Sequence, residues 1–231
     1  MGIKELENLS IIYEDNHLIG VSKPAGLLVH GDITGDMTLE QKVKAYIKVR
    51  YNKPGDVFLG VIHRIDRPVS GVVIFARTSK ALTRMNALIA NKKIKKTYLA
   101  IVNHRPEELE GTLTHYILKD ETKNIVKAFS SAKKGGKEAT LDYKLIGELE
   151  GKCLLEVIPH SGRPHQIRAQ LNKLGCHIIG DVKYGAESGL PDQSIGLHCY
   201  SMQFDHPVTG TEVCIKSSPP KRFPWSIFGI E

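Results

Sequence analysis

Apolar and polar positions along this chain recur at two periods, and the places where one period gives way to the other mark its elements. Ile11-Ile12-Tyr13 and Leu18-Ile19-Gly20-Val21 read as short strands around the turn Glu14-Asp15-Asn16. They lead into Ser22-Lys23-Pro24-Ala25-Gly26, whose Pro and Gly predict a tight loop. Thr38 with Gln41 is a capping-box pair, and Leu39, Val43, Tyr46 and Ile47 then share one face of a helix running towards Arg50. Asn52-Lys53-Pro54-Gly55 ends that helix in a loop. Val57 to Ile62 is apolar enough for a strand that delivers His63 to Asp66. Val72 to Ala76 reads as a buried strand, after which Ser79 is expected to cap a helix carrying Leu82, Met85 and Ile89 on one face.

Thr97 to Val102 predicts a further strand. From Gly111 to Ile158 the period is two: Leu113, His115 and Ile117, then Leu141, Tyr143 and Leu145, then Leu155 and Val157 alternate as in antiparallel strands. Lys133-Lys134-Gly135-Gly136-Lys137 is a basic turn between two of them, and Glu148 to Lys152 reads as a hairpin loop. Gly162 then turns the chain into a helix in which Ile167, Leu171 and Leu174 share a face and Gly175 supplies the stop. Gly180 to Gly185 is a loop, and Leu197 to Phe204 with Thr211 to Lys216 predicts a closing hairpin. No repeat, low-complexity tract or linker-like stretch interrupts the pattern, so one domain over 1–231 is expected.

Composition narrows the class. The 231 residues are 41% hydrophobic and 25% charged, which is ordinary globular composition. Thirty-two Lys and Arg against 25 Asp and Glu give a formal net charge of +7. A basic chain of this kind points to a polyanion, with nucleic acid the leading partner and generic solubility the competing reading. No stretch approaches the ~18 apolar residues needed to cross a bilayer. The acidic start of the chain, with no long apolar core, is not a secretory signal, and a cytoplasmic location is expected. Cys153, Cys176, Cys199 and Cys214 lack metal-ligand or disulfide-framework spacing and read as buried or half-buried thiols.

The densest candidate chemistry is His63-Arg64-Ile65-Asp66-Arg67-Pro68, a carboxylate between two guanidinium groups just before an apolar strand. Cations close by favour the ionised carboxylate, which makes Asp66 a nucleophile or an anchor rather than a proton donor. The competing reading leaves Arg64 and Arg67 in solvent while Asp66 organises a turn, and His63 is read either way. Lys23 could present a charge to phosphate from its loop or be solvated there. Lys92, Lys93, Lys95 and Lys96 either face phosphates or end a helix in solvent, and Tyr98 beyond them is either a core residue or a ring for a nucleobase. Arg168 sits in the first turns of its helix, where the dipole disfavours a cation, so it either has a carboxylate or phosphate partner or is exposed. His160 and His165 lack the i, i+4 spacing of a helical metal pair, and no zinc site is expected.

Taken in order, Lys23-Pro24-Ala25-Gly26, His63-Arg64-Ile65-Asp66-Arg67-Pro68 with Ser70-Gly71, Lys96-Thr97-Tyr98-Leu99-Ala100, Gly162-Arg163-Pro164-His165-Gln166-Ile167-Arg168, and Gly180-Asp181 with Tyr184-Gly185 resemble the ordered motifs of the RluA-type pseudouridine synthases. The resemblance spans about residues 10 to 216. It implies an α+β fold with a mixed, mainly antiparallel central sheet and flanking helices. It also implies isomerisation of selected uridines in ribosomal or transfer RNA to pseudouridine, without cofactor or metal. In that family pattern Asp66 stands at the catalytic aspartate. Tyr98 matches the tyrosine that stacks on the target base and has been given a proton-abstraction role, and Arg168 matches the arginine that pairs with the aspartate. Arg64 matches a residue implicated in displacing the target nucleotide. Lys23, His63, Arg67, Lys92, Lys93, Lys95, Lys96 and Arg163 are the further candidates for RNA contact. Pro164 stands where many members have Thr, so a hydrogen bond from that side chain is absent here. The family's catalytic region begins almost at the first residue, so no S4-like module is expected before it.

Two other functions compete. A non-catalytic RNA-binding or ribosome-associated protein on the same fold is opposed by the joint presence of Asp66, Tyr98 and Arg168. A metal-dependent nuclease would need clustered acids or histidines at ligand spacing, and the sequence has none.

Overall fold

The structure, a computed structural model, describes residues 9–31, 35–120 and 125–230. Its contacts divide the chain into two compact units, Met1–Ile94 with Ser201–Ser217, and Lys95–Tyr200 with Ser218–Glu231.

In the first unit, β1 (Ser10–Glu14) and β2 (Leu18–Lys23) form an antiparallel pair, and β2 pairs with β4 (Ser70–Ala76) from Leu18↔Ala76 to Lys23↔Gly71. All seven residues of β4 are buried, as its unbroken apolar run requires of a strand covered on both faces. Helix α1 (Leu39–Arg50) starts with both halves of the capping box: the Gln41 N–H donates to Thr38 Oγ1, and the Thr38 N–H donates to Gln41 Oε1. Leu39, Val43 and Ile47 form its buried stripe. Helix α2 (Ser79–Ala90) is capped one position earlier than the sequence indicated. Thr78 is the residue in extended conformation, and its Oγ1 accepts from the Ala81 N–H at 3.1 Å.

The strand expected over Val57 to Ile62 shrinks to β3 (Gly60–Val61), paired with Phe75 and Ala76. Beyond Val61 the ladder is continued by a side chain, because the Ile74 N–H donates to His63 Nε2 at 3.0 Å where a backbone carbonyl would otherwise sit. Gly60 lies so close to α2 that a Cβ would stand 2.8 Å from Leu82 Cδ2. The hairpin of β10 (Leu197–Asp205) and β11 (Glu212–Lys216) completes this unit through its last residues, and His206 at its turn meets Asp15 of the β1–β2 turn at 3.0 Å.

The second unit is built on the strand order β5-β9-β8-β6-β7, with the pairings antiparallel. Its members are β5 (Lys95–Val102), β6 (Glu110–Asp120), β7 (Ile125–Phe129), β8 (Lys137–Leu149) and β9 (Lys152–Pro159). Side-chain alternation gives this sheet two faces. Helix α3 (Gln166–Lys173) covers one, where Ala169 and Tyr184 pack with Ile117, Val126 and Ala139. On the other face, Trp225 from the C-terminal segment packs with Leu99, Ile101 and Leu154. As expected, Gly175 ends the helix, in the left-handed region at φ +84. Among the described residues no helix is long and apolar enough to cross a membrane.

Candidate active site

The first unit holds Asp66. Ile65 and Val69 are buried on either side of it, and the Val69 N–H closes a turn onto the Asp66 carbonyl at 3.0 Å. The next residue ties this turn to the loop after β2. The Gly26 N–H donates to the Arg67 carbonyl at 2.8 Å, and Arg67 Nε donates to the Gly26 carbonyl at 3.0 Å. Asp66 thus sits, half-buried, on a loop clamped at its base by backbone hydrogen bonds.

Lys23 corrects the expectation of a lysine presented to solvent or phosphate. It is 1% exposed, and its Nζ donates to the carbonyls of Pro24 (3.0 Å), Leu27 (2.7 Å) and Arg67 (3.2 Å). The loop that follows β2 folds back so that its own carbonyls surround the amine. Burial pulls the Lys23 pKa down to about 7; the field of Asp66 opposes that fall, and Arg67 adds to it. Asp66 is thus one of the charges that act on the Lys23 amine. Of the two arginines adjacent in sequence, Arg64 is exposed and Arg67 turns to Asp36 at 2.9 Å. His63, half-buried, spends Nε2 on the backbone of β4, a structural use of the ring.

The second unit holds Tyr98 and Arg168. Tyr98 is half-buried in β5, in register with Val157, which is itself opposite Tyr143. The alternation along β8 from Tyr143 to Leu141 and Ala139 places Tyr98 on the face that α3 covers. Lys96, two residues earlier, shares that face and is half-buried, and burial lowers its pKa. Lys92, Lys93 and Lys95 are exposed. Arg163 is also exposed, with its Nε donating to the Glu138 carbonyl at 3.3 Å.

Arg168 is 5% exposed and has the carboxylate partner that its place in the first turns of α3 required. That partner is Asp181: Nε donates to Oδ2 and Nη2 to Oδ1, each at 2.7 Å, in a fork geometry. The Tyr184 ring lies under the guanidinium, 4.7 Å from its centroid to Cζ. In the sequence Asp181 and Tyr184 stand in a motif with no role evident for either, although the unfavourably placed cation of Arg168 signals that an anionic partner must exist. The basic turn Lys133 to Lys137 is a further candidate for phosphate contact. There Lys133, Lys134 and Lys137 are exposed, and Lys133 Nζ stands 5.6 Å from the Phe129 ring centroid. Among the described residues no group of three or more His, Cys, Asp or Glu side chains could hold a metal ion.

This architecture is shared with a class of RNA-modifying enzymes. A human structure described as RNA pseudouridylate synthase domain containing 4 matches with a TM-score of 0.77, covering 92% of this chain and 89% of its own, at 21% identity. The family model described as RNA pseudouridylate synthase matches residues 17–173, and the chain belongs to that family. It is similar to a tRNA pseudouridine synthase C of Vibrio parahaemolyticus, 33% identical over 228 residues that cover 91% of this chain and 90% of the relative. It is also similar to a ribosomal large subunit pseudouridine synthase C of Rickettsia bellii, 31% identical over 222 residues that cover 95% of this chain and 71% of the relative.

Proposed function

We propose that this synthase converts uridine to pseudouridine in a structured transfer or ribosomal RNA, in the cytoplasm, with its 231 residues working as one catalytic domain. The observation that carries the assignment of the reacting group is the Asp66 turn, clamped to the loop after β2 and bound through the Arg67 carbonyl by the buried amine of Lys23. A carboxylate on such a base keeps its geometry.

The reaction breaks the bond from ribose C1′ to N1, turns the base and joins C1′ to C5. The C5 proton is lost and N1 gains one, so the product is an isomer and needs no external oxidant or reductant. Asp66 is the anion that attacks or stabilises the separated fragments. Tyr98 stacks on the base and takes the C5 proton, and Arg168 orients the reacting groups. The target nucleotide must first leave its stack, at a cost of a few kcal/mol, and exposed Arg64 serves that step. Lys92, Lys93, Lys95, Lys96 and Arg163 hold phosphates, joined by Lys133, Lys134 and Lys137. Lys23 and His63 are assigned to the fold of the Asp66 loop rather than to RNA, since the Lys23 amine serves carbonyls and His63 Nε2 serves a backbone N–H.

Release of tritium from RNA labelled at uridine C5 tests the reading. Wild-type protein is expected to release it from a tRNA or a large-subunit rRNA transcript and to identify which. Binding of both RNAs with no release from either would overturn it in favour of a non-catalytic binding protein.

A further inference from the structure

The segment from Gly180 to Gly185 is built around one side chain. Gly180 has φ +83, and a Cβ there would stand 2.8 Å from Leu190 Cγ and 2.9 Å from the Ser194 carbonyl, so only glycine brings the chain this close. Asp181 follows, 1% exposed, with both carboxylate oxygens taken by Arg168. Its carbonyl accepts the N–H groups of Tyr184 (2.8 Å) and Ala186 (3.1 Å), which winds Val182–Tyr184 into a single 3-10 turn. That turn carries the Tyr184 ring beneath the guanidinium.

The Tyr184 hydroxyl is fixed as well. It accepts the Val126 N–H at 2.9 Å and is hydrogen-bonded to His165 Nδ1 at 2.8 Å. His165 is the N-cap of α3 and sits in the left-handed region at φ 51. The ring is thereby anchored to β7 on one side and to the start of the arginine's own helix on the other.

From this geometry we infer that Asp181 and Tyr184 are positioning residues for Arg168. Asp181 fixes the Nε and Nη2 edge, Tyr184 fixes the plane, and the Nη1 edge is held in one direction. The inference rests on the synthase reading for the role of Arg168. Asp181 and Tyr184 together hold the guanidinium in one orientation. Its chemistry then depends on alignment, and loss of alignment lowers turnover without weakening RNA binding.

The test is single-turnover tritium release at saturating enzyme, with the RNA dissociation constant measured alongside. For Asp181→Asn the rate constant is expected to fall on the order of 100-fold, as misplacement of a reacting group by about 1 Å does. The dissociation constant should stay within about 3-fold of wild type, a difference under 1 kcal/mol. Asp181→Glu should recover part of the rate. A purely structural role would reduce the reacting fraction and leave the rate constant at the wild-type value, and that result overturns the inference. If Asp181→Asn does not accumulate as folded protein, Tyr184→Leu, which removes the ring and leaves the ion pair, is read in the same way. Absence of release by the wild type counts against the synthase reading itself. Release by the wild type with an unchanged rate constant in both variants counts against the positioning role alone.

Discussion

The two candidate halves treat a buried cation in opposite ways. Lys23 is surrounded by three carbonyls, which accept hydrogen bonds but carry no formal charge, and its pKa falls to about 7. Arg168 is forked onto a formal charge, the carboxylate of Asp181. The contrast teaches where charge is available to change. Near neutral pH the first unit holds an amine that can gain or lose its proton, whereas the second holds a guanidinium forked onto a carboxylate.

Breaking the second arrangement should have the largest effect on stability. Arg168→Ala leaves Asp181 as an uncompensated carboxylate at 1% exposure, and a loss of about 3–5 kcal/mol is expected from urea midpoints. The double variant Arg168→Met, Asp181→Leu should recover much of it. A double variant no more stable than the single one would show that the pair is not what holds this segment.

The first arrangement is sharpened by pH. The folded pKa of Lys23 lies below its unfolded value of 10.5, so between about pH 7 and 10.5 the unfolded chain binds the extra proton. Raising the pH through that window therefore favours the folded state. Wild type should gain stability relative to Lys23→Met by up to about 1.4 kcal/mol per pH unit above pH 7. Asp66 and Arg67 are the charged groups that act on the amine and belong in the controls. Parallel stability curves for the two proteins would contradict the buried, depressed amine.

The smallest effect should come from an exposed ion pair of the first unit. Arg67 and Asp36 stand 2.9 Å apart with side chains 50% and 48% exposed, so Asp36→Asn should cost no more than about 1 kcal/mol. A loss as large as that for Arg168→Ala would erase the distinction between buried and exposed pairs on which the comparison depends.

Local signals in the sequence were legible where the physics is local. The Thr38 and Gln41 capping box, the period-two strands from Gly111 to Ile158 and the Gly175 stop each depend on neighbours within a few residues. Features set by distant residues could not be read in that way. Lys23 is buried because the Arg67 carbonyl, 44 positions away, helps to bind its amine. β3 is short because a side chain, His63, replaces the backbone in the ladder to Ile74. For α2, Thr78 and Ser79 are both capping residue types, and backbone conformation made the choice. The need of Arg168 for an anion was visible from the helix dipole, but Asp181 was identified only when the turn after Gly180 brought it back to α3.

The central claim is that Asp66 is the reacting carboxylate. It is tested most directly by Asp66→Ala, with RNA binding and C5 tritium release measured on the same preparation. The account predicts an RNA dissociation constant within about 3-fold of wild type, a difference under 1 kcal/mol, and no release above background. Release from Asp66→Ala at the wild-type rate would contradict it.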